Sequence, residues 1–86
     1  MFYTYVLENI AGDFYIGYSA NLKRRLAEHN RGESFSTKNR QWKIVYYEAC
    51  LTEEDARRRE QYFKTSQGRR MFRLRIREYL LQRRAS

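Results

Sequence analysis

The sequence predicts an α+β fold in which a three-stranded antiparallel sheet is flanked by about three helices. Two observations predict the sheet: a pair of aromatic runs separated by a short turn, and a third alternating run near the middle of the chain. A third observation predicts the helices, because two segments begin with capping residues and continue with an apolar stripe. We expect one domain, residues 1–86.

The first two strands are predicted as a hairpin, running from Phe2 to Leu7 and from Phe14 to Tyr18. Both arms are rich in aromatic and β-branched residues, and the connecting residues 8–13 include a glycine and an aspartate. Tyr5 and Tyr15 should stand side by side, because side chains on paired strands meet across the ladder.

The first helix is predicted from about Asn21 to Asn30. Leu22 and Leu26 make its apolar stripe, and Arg25 and His29 lie at positions that share this inward face. A charged residue on the core side of a helix needs a partner or a function. Arg25 and His29 are therefore candidate site residues, with ordinary packing roles as the alternative.

A polar loop, residues 32–41, follows this helix and carries Lys38 and Arg40. Its composition suits contact with a phosphate backbone, and it equally suits an ordinary exposed connection.

The third strand is predicted from about Trp42 to Glu48, where Trp42, Ile44 and Tyr46 alternate with their neighbours and should share one face. Together with the hairpin it makes three strands, which suffice for a small sheet if helices cover one face.

The next helix begins at Thr52, which can cap it, and its acidic first turn extends through Asp55. That position explains the first-turn acids structurally. Glu60 has no such explanation, because it falls between Ala56 and Phe63 on the apolar seam. A carboxylate there is either paired with a basic neighbour or the ligand of a metal ion.

The last stretch, from about residue 69 to residue 84, fits two periods. Phe72, Leu74 and Ile76 alternate with arginines, as in a strand, whereas Phe72, Ile76 and Tyr79 also fit one helical face. Its length and composition favour a helix. Leu74 is then left unexplained and is a candidate for a protein interface.

Charge gives the clearest compositional signal, a net +8 in which 14 of the 18 basic residues are arginine. The planar guanidinium suits phosphate groups, so the charge predicts a polyanionic partner rather than a membrane surface. Eleven basic residues lie between positions 57 and 84, an electrostatic footprint for nucleic acid.

The single cysteine, Cys50, permits no internal disulfide, and we expect a cytoplasmic protein.

Four segments in order resemble the signature of the GIY-YIG nuclease superfamily. Tyr15-Ile16-Gly17 is the second triplet unaltered, and the first triplet reads Tyr3-Thr4-Tyr5, so its final tyrosine matches. Residues 21–30 resemble the following helix, and residues 56–64 resemble the helix that presents a metal-binding glutamate. The resemblance spans nearly the whole chain and is strongest to small stand-alone bacterial members similar to the N-terminal domain of excinuclease C.

The resemblance implies a metal-dependent endonuclease acting on DNA, in repair or recombination. Glu60 would hold one Mg²⁺ (or Mn²⁺), and Arg25 would neutralise the scissile phosphate. Tyr5 would contact or deprotonate the attacking water, oriented by Tyr15. His29 is the alternative base, because the ordinary pKa of tyrosine, near 10, makes it a poor base at neutral pH.

Further residues are predicted to contact nucleic acid, and two other functions stay open. A basic binding module without catalysis is one, and an interaction subunit of a larger assembly, with a protein partner or as a homodimer, is the other. The predicted nucleic-acid contacts are Gly17, Lys38, Arg40, Lys64, Arg69 and Arg70.

Overall fold

The structure is a computed structural model that describes residues 1–32 and 41–85, with side chains up to residue 83. It confirms the α+β prediction, with a three-stranded antiparallel sheet and four helices within this part of the chain. In chain order the elements are β1 (Phe2–Asn9), β2 (Phe14–Ser19), α1 (Leu22–Asn30), β3 (Trp42–Cys50), α2 (Glu53–Phe63), α3 (Ser66–Arg75) and α4 (Arg77–Ala85).

The hairpin forms as predicted, and β1 is the central strand in the order β2-β1-β3. Its turn is closed by Asn9, whose side-chain oxygen accepts hydrogen bonds from the backbone N–H groups of Ala11 at 3.0 Å and Asp13 at 2.9 Å. Such side-chain-to-backbone bonds are what make asparagine a turn residue.

The register of the hairpin corrects one expectation. Tyr5 lies directly opposite Gly17, and Leu7 lies opposite Tyr15. Tyr5 and Tyr15 are therefore diagonal neighbours on one face of the sheet, with ring centroids 6.5 Å apart. We call this the tyrosine face.

An irregularity in β3 also corrects the predicted alternation. Leu7 pairs with Ile44 but Val6 pairs with Tyr46, so that Val45 is the extra residue of a β-bulge. Because a one-residue shift moves every later side chain to the other face, Tyr46 lies with Val6 on the opposite face, away from Ile44. Tyr47 is brought to the tyrosine face by the same shift.

Helices cover both faces of the sheet, whereas we expected from the sequence that they would cover at least one face. The tyrosine face buries Tyr5, Leu7 and Trp42 beneath α1. The opposite face buries a second cluster under the later helices, with α2 fastened to the sheet by the Thr4 hydroxyl, which donates to the carbonyl of Ala56 at 2.7 Å. The second cluster comprises Val6, Ile16, Phe63, Phe72 and Ile76.

The C-terminal stretch is helical as favoured, but it forms two helices. The first starts earlier than expected, at Ser66, with the Thr65 side chain accepting a hydrogen bond from the N–H of Gly68 at 3.0 Å. The break falls at Ile76, whose side chain is buried in the core. Leu74 is 67% exposed. None of the described helices is both long and apolar enough to cross a bilayer.

Candidate active site

Tyr5 and His29 form the buried centre of the tyrosine face, which we call the tyrosine centre. The hydroxyl of Tyr5 and Nε2 of His29 are 3.0 Å apart, and the two residues are 1% and 0% exposed. Burial raises the pKa of Tyr5 to about 12, although the Arg25 guanidinium acts to lower it. Burial also lowers the pKa of His29 below its ordinary value, and Arg25 adds to this effect. Both groups are neutral at pH 7, so the bond joins a phenol to a neutral imidazole, and the tautomer of His29 decides which of the two donates.

Tyr15 and Gly17 complete this centre from the neighbouring strand. The ring of Tyr15 lies 4.6 Å from that of His29, centroid to centroid. A Cβ atom at Gly17 would come within 2.5 Å of the Tyr5 hydroxyl oxygen and 2.7 Å of its Cζ. The close approach that glycine permits here is made by Tyr5 of the same chain, and Gly17 itself is buried. The predicted contact of Gly17 with nucleic acid therefore has no open surface in this structure.

Replacing Gly17 with alanine should push the Tyr5 ring away from His29. We expect a loss of about 1–3 kcal/mol in the free energy of unfolding from this overpacking. Without its phenol partner, and with more water nearby, His29 should titrate closer to the ordinary value of about 6.5. Urea denaturation and NMR titration of the imidazole measure both effects.

The variant Tyr5→Phe is the matched control for Gly17→Ala, because it removes the hydroxyl while keeping the ring in place. It should alter the histidine titration with a smaller effect on stability. Wild-type stability together with a wild-type imidazole titration in Gly17→Ala would contradict the packing described for Tyr5.

Arg25 lies on the same helix as His29 and is close enough to Tyr5 to influence its pKa. Its Nη1 donates to Glu28 Oε1 at 3.0 Å, and its side chain is 35% exposed. The structure thus gives Arg25 a partner, and it also leaves the guanidinium reachable from solvent beside the buried pair. Such a position suits a cation that meets a phosphate at the mouth of the site.

Glu60 reaches this region from the other layer of the protein. Its helix, α2, packs on the opposite face of the sheet, yet its charge contributes to the raised pKa of Tyr5. The side chain is 14% exposed, and Oε2 lies 3.5 Å from Nζ of Lys64 one turn later. Of the two alternatives given for Glu60, pairing with a basic neighbour is therefore the one that the structure shows. No group of three or more His, Cys, Asp or Glu side chains that could hold a metal ion occurs within the described ranges.

A cavity of about 390 Å³ joins the two layers along β2, which is an outer strand of the described sheet. Tyr15 contributes to it from the tyrosine face, and Lys64 and Arg69 contribute from the end of α2 and the start of α3. Lys64, which pairs with Glu60, therefore lies at the same open edge of the sheet as Tyr15. We call this the edge cavity, lined by Phe14, Tyr15, Ile16, Lys64 and Arg69.

The other predicted nucleic-acid contacts fall in different places. Arg70 lines a separate cavity between α3 and α4, together with Leu74. Lys38 and Arg40 lie outside the described residues. Of the six predicted contacts, the structure thus brings Lys64 and Arg69 together beside Tyr15.

Two positioning interactions were missed at the level of sequence. The Asn30 side chain donates to the carbonyl of Trp42 at 3.0 Å and accepts from its N–H at 2.7 Å, which ties the end of α1, next to His29, to β3. Arg59 makes two 2.8 Å hydrogen bonds to Glu48 and lowers the pKa of that carboxyl. No local signal reveals either partner, because each pair is more than ten residues apart.

Comparison with known proteins agrees with this architecture. The family model described as GIY-YIG catalytic domain matches residues 1–72. The chain belongs to the GIY-YIG family. The matched region includes the tyrosine centre, Glu60 and the edge cavity, and it ends within α3. α4 lies beyond it.

Relatives of this GIY-YIG chain include small bacterial proteins. A UPF0213 protein of Pediococcus acidilactici is 39% identical over 67 residues, covering 73% of this chain and 68% of that protein. The UPF0213 protein spr1390 of Streptococcus pneumoniae is 38% identical over 64 residues, covering 72% and 65%. The chain thus spans about two thirds of the length of these relatives. The solution structure of the UPF0213 protein BH0048 from Bacillus halodurans is 26% identical, covers 84% of this chain and 82% of that chain, and superposes with a TM-score of 0.52.

Proposed function

We propose that this GIY-YIG chain is a metal-dependent endonuclease that hydrolyses phosphodiester bonds in DNA. The observation that carries the proposal is the buried hydrogen bond between Tyr5 and His29, 3.0 Å long, beside the reachable guanidinium of Arg25. A neutral acceptor, a phenol and a cation next to one another are the groups that phosphodiester hydrolysis asks for.

Tyr5 and His29 would act as a unit on the attacking water. With a pKa of about 12, Tyr5 is not a phenolate at neutral pH and cannot remove a proton on its own. In the tautomer with Nε2 unprotonated, Tyr5 can accept a proton from water at its oxygen while its own proton passes to Nε2 of neutral His29. Tyr15, half-buried against His29, would orient the water from the edge of the site.

Positive side chains would hold the DNA backbone across the edge cavity. Arg25 would neutralise the scissile phosphate, giving up its bond to Glu28 when the phosphate binds. Lys64 and Arg69, which line the edge cavity, would contact neighbouring phosphates. Contacts of this kind position the substrate without reading its sequence.

Glu60 would hold one Mg²⁺ or Mn²⁺. The donor set fits this ion in one respect: Mg²⁺ keeps most of its waters and is commonly held by one or two carboxylates plus phosphate oxygens. When bound, the ion would supply positive charge to the leaving 3′ oxygen. Metal binding would require Lys64 to release Glu60, whose Oε2 lies 3.5 Å from Nζ of Lys64. The released ammonium group would then turn towards a phosphate of the DNA.

A nicking assay on supercoiled plasmid tests the proposal, run with Mg²⁺, with Mn²⁺ and with chelator. Relaxed product should form only with metal. Arg25→Ala should slow nicking at least about 100-fold, as the loss of a charge-stabilising group does, while DNA binding measured by anisotropy falls less than about tenfold. Arg24→Ala is the matched control, since Arg24 also faces Glu28 but is 67% exposed. No nicking with either metal, or an equal loss in the Arg24 variant, would contradict the proposal.

A basic nucleic-acid-binding module without catalysis is the second candidate. The observation that favours it is the ion pair of Glu60 with Lys64, because an ammonium group already balances the carboxylate. The same assay separates the two candidates, since the binding module would retain plasmid binding without nicking.

A further inference from the structure

Two tyrosines outside the tyrosine centre form a pair on the same face of the sheet. The rings of Tyr3 and Tyr47 meet edge to face, with centroids 5.9 Å apart and planes inclined at 67°. They form one wall of a cavity of about 280 Å³ against the first turn of α1. We call this the platform cavity, lined by Tyr3, Ala20, Asn21, Leu22, Lys23 and Tyr47.

The platform cavity adjoins the tyrosine centre. Tyr47 lies directly opposite Tyr5 in the pairing of β3 with β1. Tyr3 precedes Tyr5 by two residues on the same face, a distance of about 7 Å along the strand. The β-bulge at Val45 is what turns Tyr47 to this face. Tyr3 also stands at the first position of the first triplet, where the name of the family has glycine.

The exposure of Tyr47 argues against a purely structural role for the pair. Cross-strand aromatic pairs stabilise sheets by burying their rings against each other. Tyr47, however, is 54% exposed, whereas Tyr5 beside it is 1% exposed. A large ring left in water beside a cavity is a surface that a ligand can cover.

The lining of the platform cavity suits a nucleobase with its phosphate. Aromatic rings and Leu22 offer apolar contact to the flat face of a base, and the exposed Lys23 offers an ammonium group at the rim. None of the residues that line it is acidic. Aromatic stacking beside a positive charge is the means by which proteins hold single-stranded nucleic acid.

We propose that Tyr3 and Tyr47 hold one unpaired base next to the phosphodiester presented to Tyr5. Bases within a duplex already stack on each other, so the platform acts on a base that is unpaired or extruded. The substrate class is therefore nucleic acid with at least one unpaired base near the site of cleavage. This inference rests on the proposed function and adds a substrate class to it.

The test uses a single-stranded oligonucleotide of about 12 nucleotides carrying one 2-aminopurine, with metal omitted so that nothing is cut. Stacking on the platform should quench the fluorescence of the analogue. Tyr3→Leu/Tyr47→Leu should weaken single-strand binding roughly 5- to 150-fold and abolish the quenching, as loss of one stacked base does. Tyr3→Phe/Tyr47→Phe keeps the rings and should bind like the wild type. Affinity for the matching duplex should not change in either variant.

Tyr18→Leu is the control for loss of a tyrosine, because Tyr18 lies on the opposite face and contacts Arg57. If the double leucine variant does not fold, as judged by circular dichroism, the single variant Tyr47→Leu replaces it, since Tyr47 is the more exposed ring. The proposal is overturned if the leucine variant binds single-stranded DNA as the wild type does, or if it loses the same factor in affinity for single strand and duplex.

The two proposals fail in different ways. Metal-dependent nicking that needs Arg25 but proceeds normally in the leucine variant overturns the platform and leaves the endonuclease standing. Quenching that needs Tyr3 and Tyr47, in a protein that never nicks DNA, supports the platform and overturns the endonuclease.

Discussion

Glu60→Gln is expected to lose about a thousandfold in the rate of metal-dependent cleavage, since a bound ion supplies several kcal/mol to a phosphoryl transition state. The amide keeps the size of the side chain but removes the charge that a divalent cation requires. Its ion pair with Lys64, which is 48% exposed, contributes little to folding, so stability should change by less than about 1 kcal/mol. DNA binding without metal should also persist.

Plasmid nicking measures the rate, and paramagnetic broadening by Mn²⁺ locates the ion independently of activity. Amide signals around Glu60 should broaden in the wild type and stay sharp in the variant. Glu54→Gln is the matched control, because Glu54 lies in the exposed first turn of the same helix. Full cleavage by the Glu60 variant would rule out the mechanism proposed for this carboxylate.

Gly68→Ala should destabilise the protein by about 3 kcal/mol. Gly68 lies in the first turn of α3, where a Cβ atom would come within 1.9 Å of the carbonyl oxygen of Tyr62 and 2.6 Å of its carbon. Backbone atoms cannot turn aside as a flexible side chain can, so α2 and α3 would have to separate. Alanine's advantage of about 1 kcal/mol within a helix is too small to compensate.

Urea denaturation of Gly68→Ala measures this loss directly. Gln67→Ala, an exposed change in the same turn, should leave stability within about 0.5 kcal/mol of the wild type. Because α3 carries Arg69 to the edge cavity, a separated junction should also weaken DNA binding. An alanine variant as stable as the wild type would show that the α2–α3 junction is looser than described.

Local chemistry accounts for the elements that could be predicted. Thr52 accepts a hydrogen bond from the N–H of Asp55 at 3.2 Å, as its position before the helix indicated. Of the two candidate caps of the first helix, Asn21 and Ser19, it is Asn21 that accepts from the N–H of Arg24, at 3.0 Å. The triplet Tyr15-Ile16-Gly17 and the order of the four segments indicated the family, which the match over residues 1–72 confirms. Each of these signals acts within a few residues or belongs to a linear motif.

The errors have a different physical origin. The bulge at Val45 and the helix break at Ile76 satisfy the packing of side chains against distant partners. The alternation of Tyr46 with Ile44 looked regular along the chain, and it failed because Tyr46 packs with Val6 and Phe63. The alternation of residues along one strand carries no information about contacts with other helices or strands.

By itself the sequence determined the family, the class of fold, the helix cap at Thr52 and the basic character of the surface, since these depend on motifs, on neighbours within one turn and on composition. Tertiary structure alone decided that Tyr5 fills the space beside Gly17 and bonds to His29. It also decided that Glu60 approaches from the opposite layer with Lys64 as its partner. Burial sets the pKa values of Tyr5 and His29, and the distances between elements set which partners these side chains and Glu60 can reach. Burial and these distances exist only once the helices have packed on the sheet.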